Sequence, residues 1–258
     1  VSTYYFVADI HLGLRNGDPS DREARFIAFL DSLAPGTGGL FLLGDIFDFW
    51  YEYKYVIPRG YTRTLGALAR VHDRGIPVHF FVGNHDLWTY GYLEQELGMQ
   101  VHRDEWYVKL EGKYFLLAHG HRMGRQPCAS RFLHGMFHNR LLQVLFSCLH
   151  PRWAFALARK WSAWNRDKHN GSCKQDMNLY KPVYQYAATY DRPVDYCITG
   201  HIHTSERCPL PAGGELIVLE DWLSVGPSGP VRGDIGIFRG TEKGEIEIIK
   251  APVVVHAH

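Results

Sequence analysis

Five short apolar runs punctuate the chain, and each stops abruptly at a polar cluster. Tyr4–Ala8 runs into Asp9-Ile10-His11, Leu40–Leu43 into Gly44-Asp45, and Val78–Val82 into Gly83-Asn84-His85-Asp86. Tyr114–Ala118 runs into His119-Gly120-His121, and Tyr196–Thr199 into Gly200-His201-Ile202-His203. Runs this short, rich in Val, Ile, Phe and Tyr, predict buried strands. Each polar cluster then sits just past the C-terminal end of a strand, the edge at which open α/β sheets bind ligands. Between the runs the apolar spacing becomes helical. Phe26, Phe29, Leu30 and Leu33 share a face in Asp21–Leu33, and Leu65, Leu68, Ala69 and His72 do so in Arg63–Asp73. After His203, the runs Glu215–Leu219, Asp234–Phe238 and Glu245–Ile249 predict strands separated by Gly-containing turns. They suggest a second, more antiparallel sheet packed on the first.

The middle of the chain follows a different pattern. Arg131–Leu149 places Phe132, Met136, Leu142 and Phe146 at helical spacing, with Leu133, Phe137, Leu141 and Leu145 alongside. Trp153–Lys168 adds Phe155, Leu157, Trp161 and Trp164 among arginines and lysines. These patterns predict a helical insertion, about residues 125–190, between the fourth and fifth polar clusters. One domain spanning 1–258 accommodates it, since α/β domains of this length are common.

Composition narrows the function classes. The chain is 46% hydrophobic and carries 28 basic against 27 acidic residues, which excludes a disordered chain and a uniformly basic nucleic-acid binder. The balance hides an asymmetry: His119–Lys174 has ten Lys/Arg and the single acid Asp167, so it carries +9 and the remainder −8. No apolar stretch approaches the roughly 18 residues of a transmembrane helix. The first residues lack a basic, then apolar, leader, so a cytoplasmic location is expected. Five cysteines without a C-x-x-C spacing suggest reduced thiols.

The strand-end clusters carry the chemistry. Asp9, His11, Asp45, Asn84, His119, His201 and His203 all offer oxygen or imidazole nitrogen, and none offers a thiolate. Seven ligands exceed a four-coordinate structural zinc and suit two adjacent metals sharing a carboxylate. The mixed donor set is compatible with manganese, iron or zinc. Two ions about 3.5–4 Å apart clamp a phosphoryl oxygen during in-line displacement. D-x-H or G-D-x-x-D alone arises often by chance. G-N-H-D is more specific, because three polar residues after an apolar strand are costly unless solvated or used. The two imidazoles of G-H-x-H face the same way if the chain stays extended. The weight lies in the ordered set.

As a set, Asp9-Ile10-His11, Gly44-Asp45-Ile46-Phe47-Asp48, Gly83-Asn84-His85-Asp86, His119-Gly120-His121 and Gly200-His201-Ile202-His203 resemble the motifs of the calcineurin-like metallophosphoesterases. The resemblance implies a four-layer α/β/β/α sandwich, here with a helical lid insertion. It also implies two divalent ions, one on Asp9, His11, Asp45 and His203, the other on Asp45, Asn84, His119 and His201. Asp45 would bridge them. Manganese is the expected ion by resemblance, with zinc or iron compatible. His85 matches the histidine that assists the leaving group in the wider family, with Asp48 orienting it.

A narrower resemblance is to the UDP-2,3-diacylglucosamine diphosphatase family of lipid A synthesis. Phe6–Gly13 and Leu42–Trp50 are close to that family's first two blocks, and Glu220-Asp221-Trp222 is similar to its G-D-W. The basic, aromatic insertion sits where that family has its acyl-chain-binding lid. Arg159, Ser162, Asn165 and Lys168 are similar to the lid's Arg, Ser, Asn and Lys, with the Ser-to-Asn spacing one residue shorter. Three departures stand out: His85 replaces the usual Arg, His121 the Asp of H-G-D, and Glu220 the Gly of G-D-W. The resemblance implies hydrolysis of the substrate's pyrophosphate to UMP and 2,3-diacylglucosamine 1-phosphate. Asn84, His85, Arg122, Arg159, Ser162, Asn165, Lys168 and His201 would contact substrate. A basic, aromatic segment suits an anionic membrane surface, so peripheral attachment to the inner membrane is expected and nucleic acid is not. The alternative is a soluble metallophosphodiesterase acting on nucleotides or nucleic acid.

Overall fold

The computed structural model describes residues 2–15, 18–124, 135–137, 139–157, 160, 180–223, 233–241 and 244–252. The chain divides into two compact units, Val1–His121 with Ala187–His258, and Arg122–Tyr186. The first unit opens with β1 (Thr3–Val7), α1 (Pro19–Ser32), β2 (Gly39–Leu42), α2 (Thr62–Asp73), β3 (Val78–Phe81), α3 (Tyr92–Gln95) and β4 (Gln100–His102). There follow β5 (Trp106–Leu110), β6 (Lys113–Leu117), β7 (Tyr196–Thr199), β8 (Glu206–Pro209), β9 (Glu215–Val218), β10 (Asp234–Arg239) and β11 (Ile246–Lys250).

Two sheets result, in the orders β11-β10-β1-β2-β3-β4 and β5-β6-β7-β9-β8. The strands from β1 to β4 pair parallel, as do β6, β7 and β9. Alternation sorts their side chains. Phe6, Ala8, Phe41, Leu43 and Phe81 from the first sheet meet Phe115, Leu117, Ile198, Ile217 and Leu219 from the second in one buried core. Phe6 bridges the layers, with its ring 4.8 Å from Phe41 and 5.8 Å from Phe115. On the outer face of the first sheet, Tyr5 meets Phe29 of α1 edge-on at 5.9 Å. The helix starts where Asp18 accepts from the backbone N–H groups of Ser20 and Asp21 and Pro19 presets φ.

The expected strands and the α/β class hold, and their arrangement differs in three ways. The five cluster-bearing strands do not share one sheet: β1, β2 and β3 lie in the first, and β6 and β7 in the second. Of the three late strands expected from sequence only β9 joins the second sheet, while β10 pairs antiparallel with β1 and carries β11 at the edge. Asp234–Phe238 is buried at every position, so its sequence carries no alternation to tell which sheet covers it. The helical spacing over Arg131–Leu149 does not extend through Asn139. That residue is extended (φ −70°, ψ 116°), and its side chain caps a separate helix, α4 (Arg140–Ser147), by accepting from Leu141 N and Leu142 N. A further helix, α5 (Lys181–Ala188), leads back to the first unit. The short strands β4, β5 and β8 left no periodic signal.

Candidate metal centre

All five polar clusters fall on loops directly after β1, β2, β3, β6 and β7. Backbone hydrogen bonds knit neighbouring loops together. Asp9 N donates to Gly44 O (3.1 Å), His11 N to Asp45 O (2.9 Å) and Gly200 N to His119 O (3.1 Å). Six described non-glycine residues have positive φ, and five of them are Asp9 (52°), His11 (49°), Asp45 (51°), His201 (70°) and His203 (58°). Left-handed backbone costs an ordinary residue about 1–2 kcal/mol, so this strain persists only where the surroundings enforce it. Two glycines allow the close approach. A Cβ on Gly83 would collide with Asp45 N and its carboxylate, and one on Gly200 with the Asp9 carboxylate.

The side chains form overlapping groups. Asp9, His11 and His203 offer ligand atoms within 4.8 Å of one another, and so do Asp45, His119 and His201. A third group, His11, Asp48 and His85, adjoins them. Asp45 is central: its Oδ2 lies 3.4 Å from His119 Nε2, 3.8 Å from His11 Nε2 and 4.0 Å from His85 Nε2. Its Oδ1 accepts from His85 N at 2.8 Å. Asn84, at the exposed rim, brings Oδ1 to 3.2 Å from His119 Nε2.

Several imidazoles are oriented by a second partner. His119 Nδ1 donates to Leu43 O (2.9 Å), His203 Nδ1 to the Asp221 carboxylate (3.0 Å), and His85 Nδ1 to Asp48 O (2.9 Å). Each bond leaves Nε2 facing the Asp45 or Asp9 carboxylate.

The donor set fits metal ions. Asp9 Oδ1 and both His11 ring nitrogens are buried with no hydrogen-bond partner among the described residues. Asp9 Oδ1 stands 3.7 Å from His11 Nε2 and 3.9 Å from His203 Nε2. Those gaps are too long for hydrogen bonds. They match two donors each about 2.1 Å from a shared ion, which sit roughly 3–4 Å apart.

Burial and mutual charge set the protonation of this cluster. Burial raises the Asp45 carboxyl, but the His119 and His85 rings outweigh it and hold it well below the usual range. Asp9 is likewise held low against its burial by His11 and His203. Burial disfavours charge on His11 and His119, yet Asp48 and Asp9 push His11 up to about 10, and Asp45 pushes His119 up to about 9. His201 falls to about 3 through burial and the neighbouring His119. His85 is lowered by burial, against the pull of Asp45.

The comparisons with known proteins identify the fold's lineage. Residues 2–205 match the family described as calcineurin-like phosphoesterase. The chain belongs to the calcineurin-like phosphoesterases. The UDP-2,3-diacylglucosamine hydrolase of Porphyromonas gingivalis (strain ATCC BAA-308 / W83) is 34% identical over 241 residues, covering 86% of this chain and 91% of that protein. The enzyme of the same name from Haemophilus influenzae (strain PittGG) is 27% identical over 249 residues, covering 95% and 98%. A third, from Stenotrophomonas maltophilia (strain K279a), is 28% identical over 235 residues, covering 87% and 92%. A calcineurin-like phosphoesterase is a hydrolase, and the family binds a dimetal centre, for which this chain has His/Asp groups able to hold ions.

Two carboxylates of this phosphoesterase had no role assigned from sequence. Asp86 is fully buried and accepts from Gly83 N (2.7 Å) and Ile46 N (2.8 Å), which ties the second and third loops together. Burial and Asp45 push its carboxyl up to about 7. Asp221 orients His203. Its place in a strand-end Glu-Asp-Trp was the one available signal. Arg122 lies in the second unit and is exposed. Arg159, Ser162, Asn165 and Lys168 lie outside the described residues, as do Trp161, Trp164 and Phe132. Among the described residues, no helix is long and apolar enough to cross a membrane.

Proposed function

We propose that this chain hydrolyses the pyrophosphate of UDP-2,3-diacylglucosamine, giving UMP and 2,3-diacylglucosamine 1-phosphate. The substrate assignment rests on one observation: relatives that span nearly the whole chain, one of them 34% identical, carry the name UDP-2,3-diacylglucosamine hydrolase. The chemistry rests on the convergence of Asp9, His11, Asp45, Asn84, His119, His201 and His203. One ion would take Asp9, His11, Asp45 and His203, and the other Asp45, Asn84, His119 and His201. Manganese is the proposed metal. When bound, two divalent ions supply Lewis-acid polarisation of the phosphoryl group and an activated water. Asp45 holds the ligand set together, and Leu43 O and Asp221, by engaging Nδ1, orient Nε2 of His119 and His203 toward the carboxylates.

His85 is the acid–base candidate. Its Nδ1–H is committed to Asp48 O, so Nε2 is the atom that exchanges protons. Burial favours the neutral ring, and the negative charge of an arriving pyrophosphate favours protonation at Nε2, which then serves the leaving phosphate. Asn84 and His201 would add contacts to phosphate. The second unit is proposed to contact acyl chains and an anionic inner-membrane surface, with Arg122, Arg159, Ser162, Asn165 and Lys168 holding polar groups. Within that unit Leu141, Val144, Leu145, Trp153 and Leu157 are all more than half exposed, on a basic segment, which favours an interfacial role.

The test compares UDP-glucosamine derivatives with long, short and no acyl groups against bis-p-nitrophenyl phosphate. Burial contributes about 0.8 kcal/mol per methylene, so kcat/KM should fall by orders of magnitude as the chains shorten. Equal kcat/KM for all of them, or preference for the aryl diester, defeats the acyl-sugar assignment.

A further inference from the structure

α1 buries two arginines one turn apart. Arg22 is 0% and Arg25 1% exposed. Buried guanidinium groups are costly unless each N–H finds an acceptor. Their acceptors include backbone carbonyls of the loops around His11 and Trp222. Arg22 Nη1 donates to His11 O (2.7 Å) and Leu14 O (3.2 Å). Arg25 Nη2 donates to Trp222 O (3.1 Å), while its Nε donates to Asp21 Oδ2 (2.8 Å). The Arg25 guanidinium also lies 5.7 Å from the centre of the Trp222 ring. Trp222 N donates in turn to Asp9 O (3.1 Å), and its neighbour Asp221 accepts from His203 Nδ1. One face of one helix therefore reaches, directly or through Trp222, the loops that bring Asp9, His11 and His203 together.

These are three of the residues held at left-handed φ. Aspartate and histidine tolerate that backbone better than most residues but still pay for it, so contacts from outside the loops are needed to hold it. The Asp45, His119 and His201 group has further partners of its own, Asp86, Leu43 O and the Asp9 carboxylate, besides the His11 N–Asp45 O bond that joins the two groups.

We propose that Arg22 and Arg25 are positioning residues for the ion site formed by Asp9, His11 and His203, locking its loops in the ligating conformation before an ion arrives. The proposal rests on the dimetal reading above. Arg22 serves both carbonyls from Nη1, the tip of a planar guanidinium whose reach and orientation a lysine stem does not reproduce. Burial and the neighbouring Arg25 push the Arg22 guanidinium down to about 10, still high enough to keep it charged at neutral pH. Asp48, Asp221 and Asp18 offset that charge.

The experiment titrates Co2+ into metal-stripped full-length protein by calorimetry and by the visible absorption of bound Co2+. Wild type, Arg22→Met, Arg25→Met and Arg22→Lys are compared, with apo-protein melting temperature recorded for each. Wild type should bind two equivalents. Arg22→Met and Arg25→Met should weaken one equivalent about 10–100-fold, the usual size of an outer-contact loss, and leave the other within about threefold. Arg22→Lys keeps the charge and one hydrogen bond, so it should recover part of the loss; it carries the test if Arg22→Met does not fold. Two equivalents at wild-type affinity in the variants overturn the proposal alone. So does equal weakening of both in step with apo stability. Fewer than two equivalents on wild type overturn the dimetal reading, and this proposal with it.

Discussion

Gly200→Ala tests the packing of the centre without replacing any of the proposed ligands. The added methyl would overlap the Asp9 carboxylate and press on Ala8 Cβ at 2.5 Å. Neither neighbour can yield: both are 0% exposed, and Asp9 Oδ2 already accepts from His201 N at 2.7 Å. Moving Asp9 breaks that charge-assisted hydrogen bond, worth about 1.5–3 kcal/mol, and overpacking adds about 1–3 kcal/mol. If roughly 3 kcal/mol falls on the ligating conformation, the affinity for the first ion drops by about two orders of magnitude. Gly66→Ala is the control, since its methyl would meet only Arg70 Nη1 at 3.9 Å inside α2. That substitution should be neutral or stabilise by up to about 1 kcal/mol. Mn2+ titration of stripped protein and thermal melts read both effects. A Gly200→Ala protein that binds two ions as tightly as wild type would falsify the tight Asp9–Gly200 apposition on which the estimate rests.

Three further outcomes are expected. Asp45→Ala should lose both ions, because Asp45 Oδ2 faces His11 and His119 at once; two ions at full occupancy by elemental analysis would remove its bridging role. His85→Ala should retain both ions and lower kcat strongly, and near-normal turnover would reduce His85 to a rim contact. Burial, and secondarily the neighbouring His102, lowers the His79 pKa from 6.5 to about 4. Because the folded value is depressed, its contribution is whole above about pH 6.5 and is lost as pH falls toward about 4. Between pH 7.5 and 5 the loss is about 2 kcal/mol, and urea melts of wild type and His79→Phe should diverge by that amount.

Much of the first unit was legible locally. Thr3–Val7, Gly39–Leu42, Val78–Phe81, Lys113–Leu117 and Tyr196–Thr199 lie within a residue of the apolar runs that predicted them, because strand formation and strand ends follow from neighbouring side chains. Asp86 and Asp221 were not assigned, because their roles exist only through their partners. Asp86 meets Ile46 N across 40 residues, and Asp221 meets His203 across 18. The left-handed backbone of Asp9, His11, Asp45, His201 and His203 was invisible for a related reason. Glycine advertises positive φ in a sequence, whereas aspartate and histidine do not.

The sequence by itself determined the donor atoms, their order and their placement at strand ends, since each of these is written in a few consecutive residues. Tertiary structure decided that the strands belong to two sheets and that Asp45 lies between His11 and His119. It also decided that Leu43 O and Asp221 engage Nδ1 of His119 and His203, which turns each Nε2 toward a carboxylate. The reason is separation along the chain. His201 N meets the Asp9 carboxylate across 192 residues, and no local pattern encodes which distant loop fills the space that Gly200 leaves open.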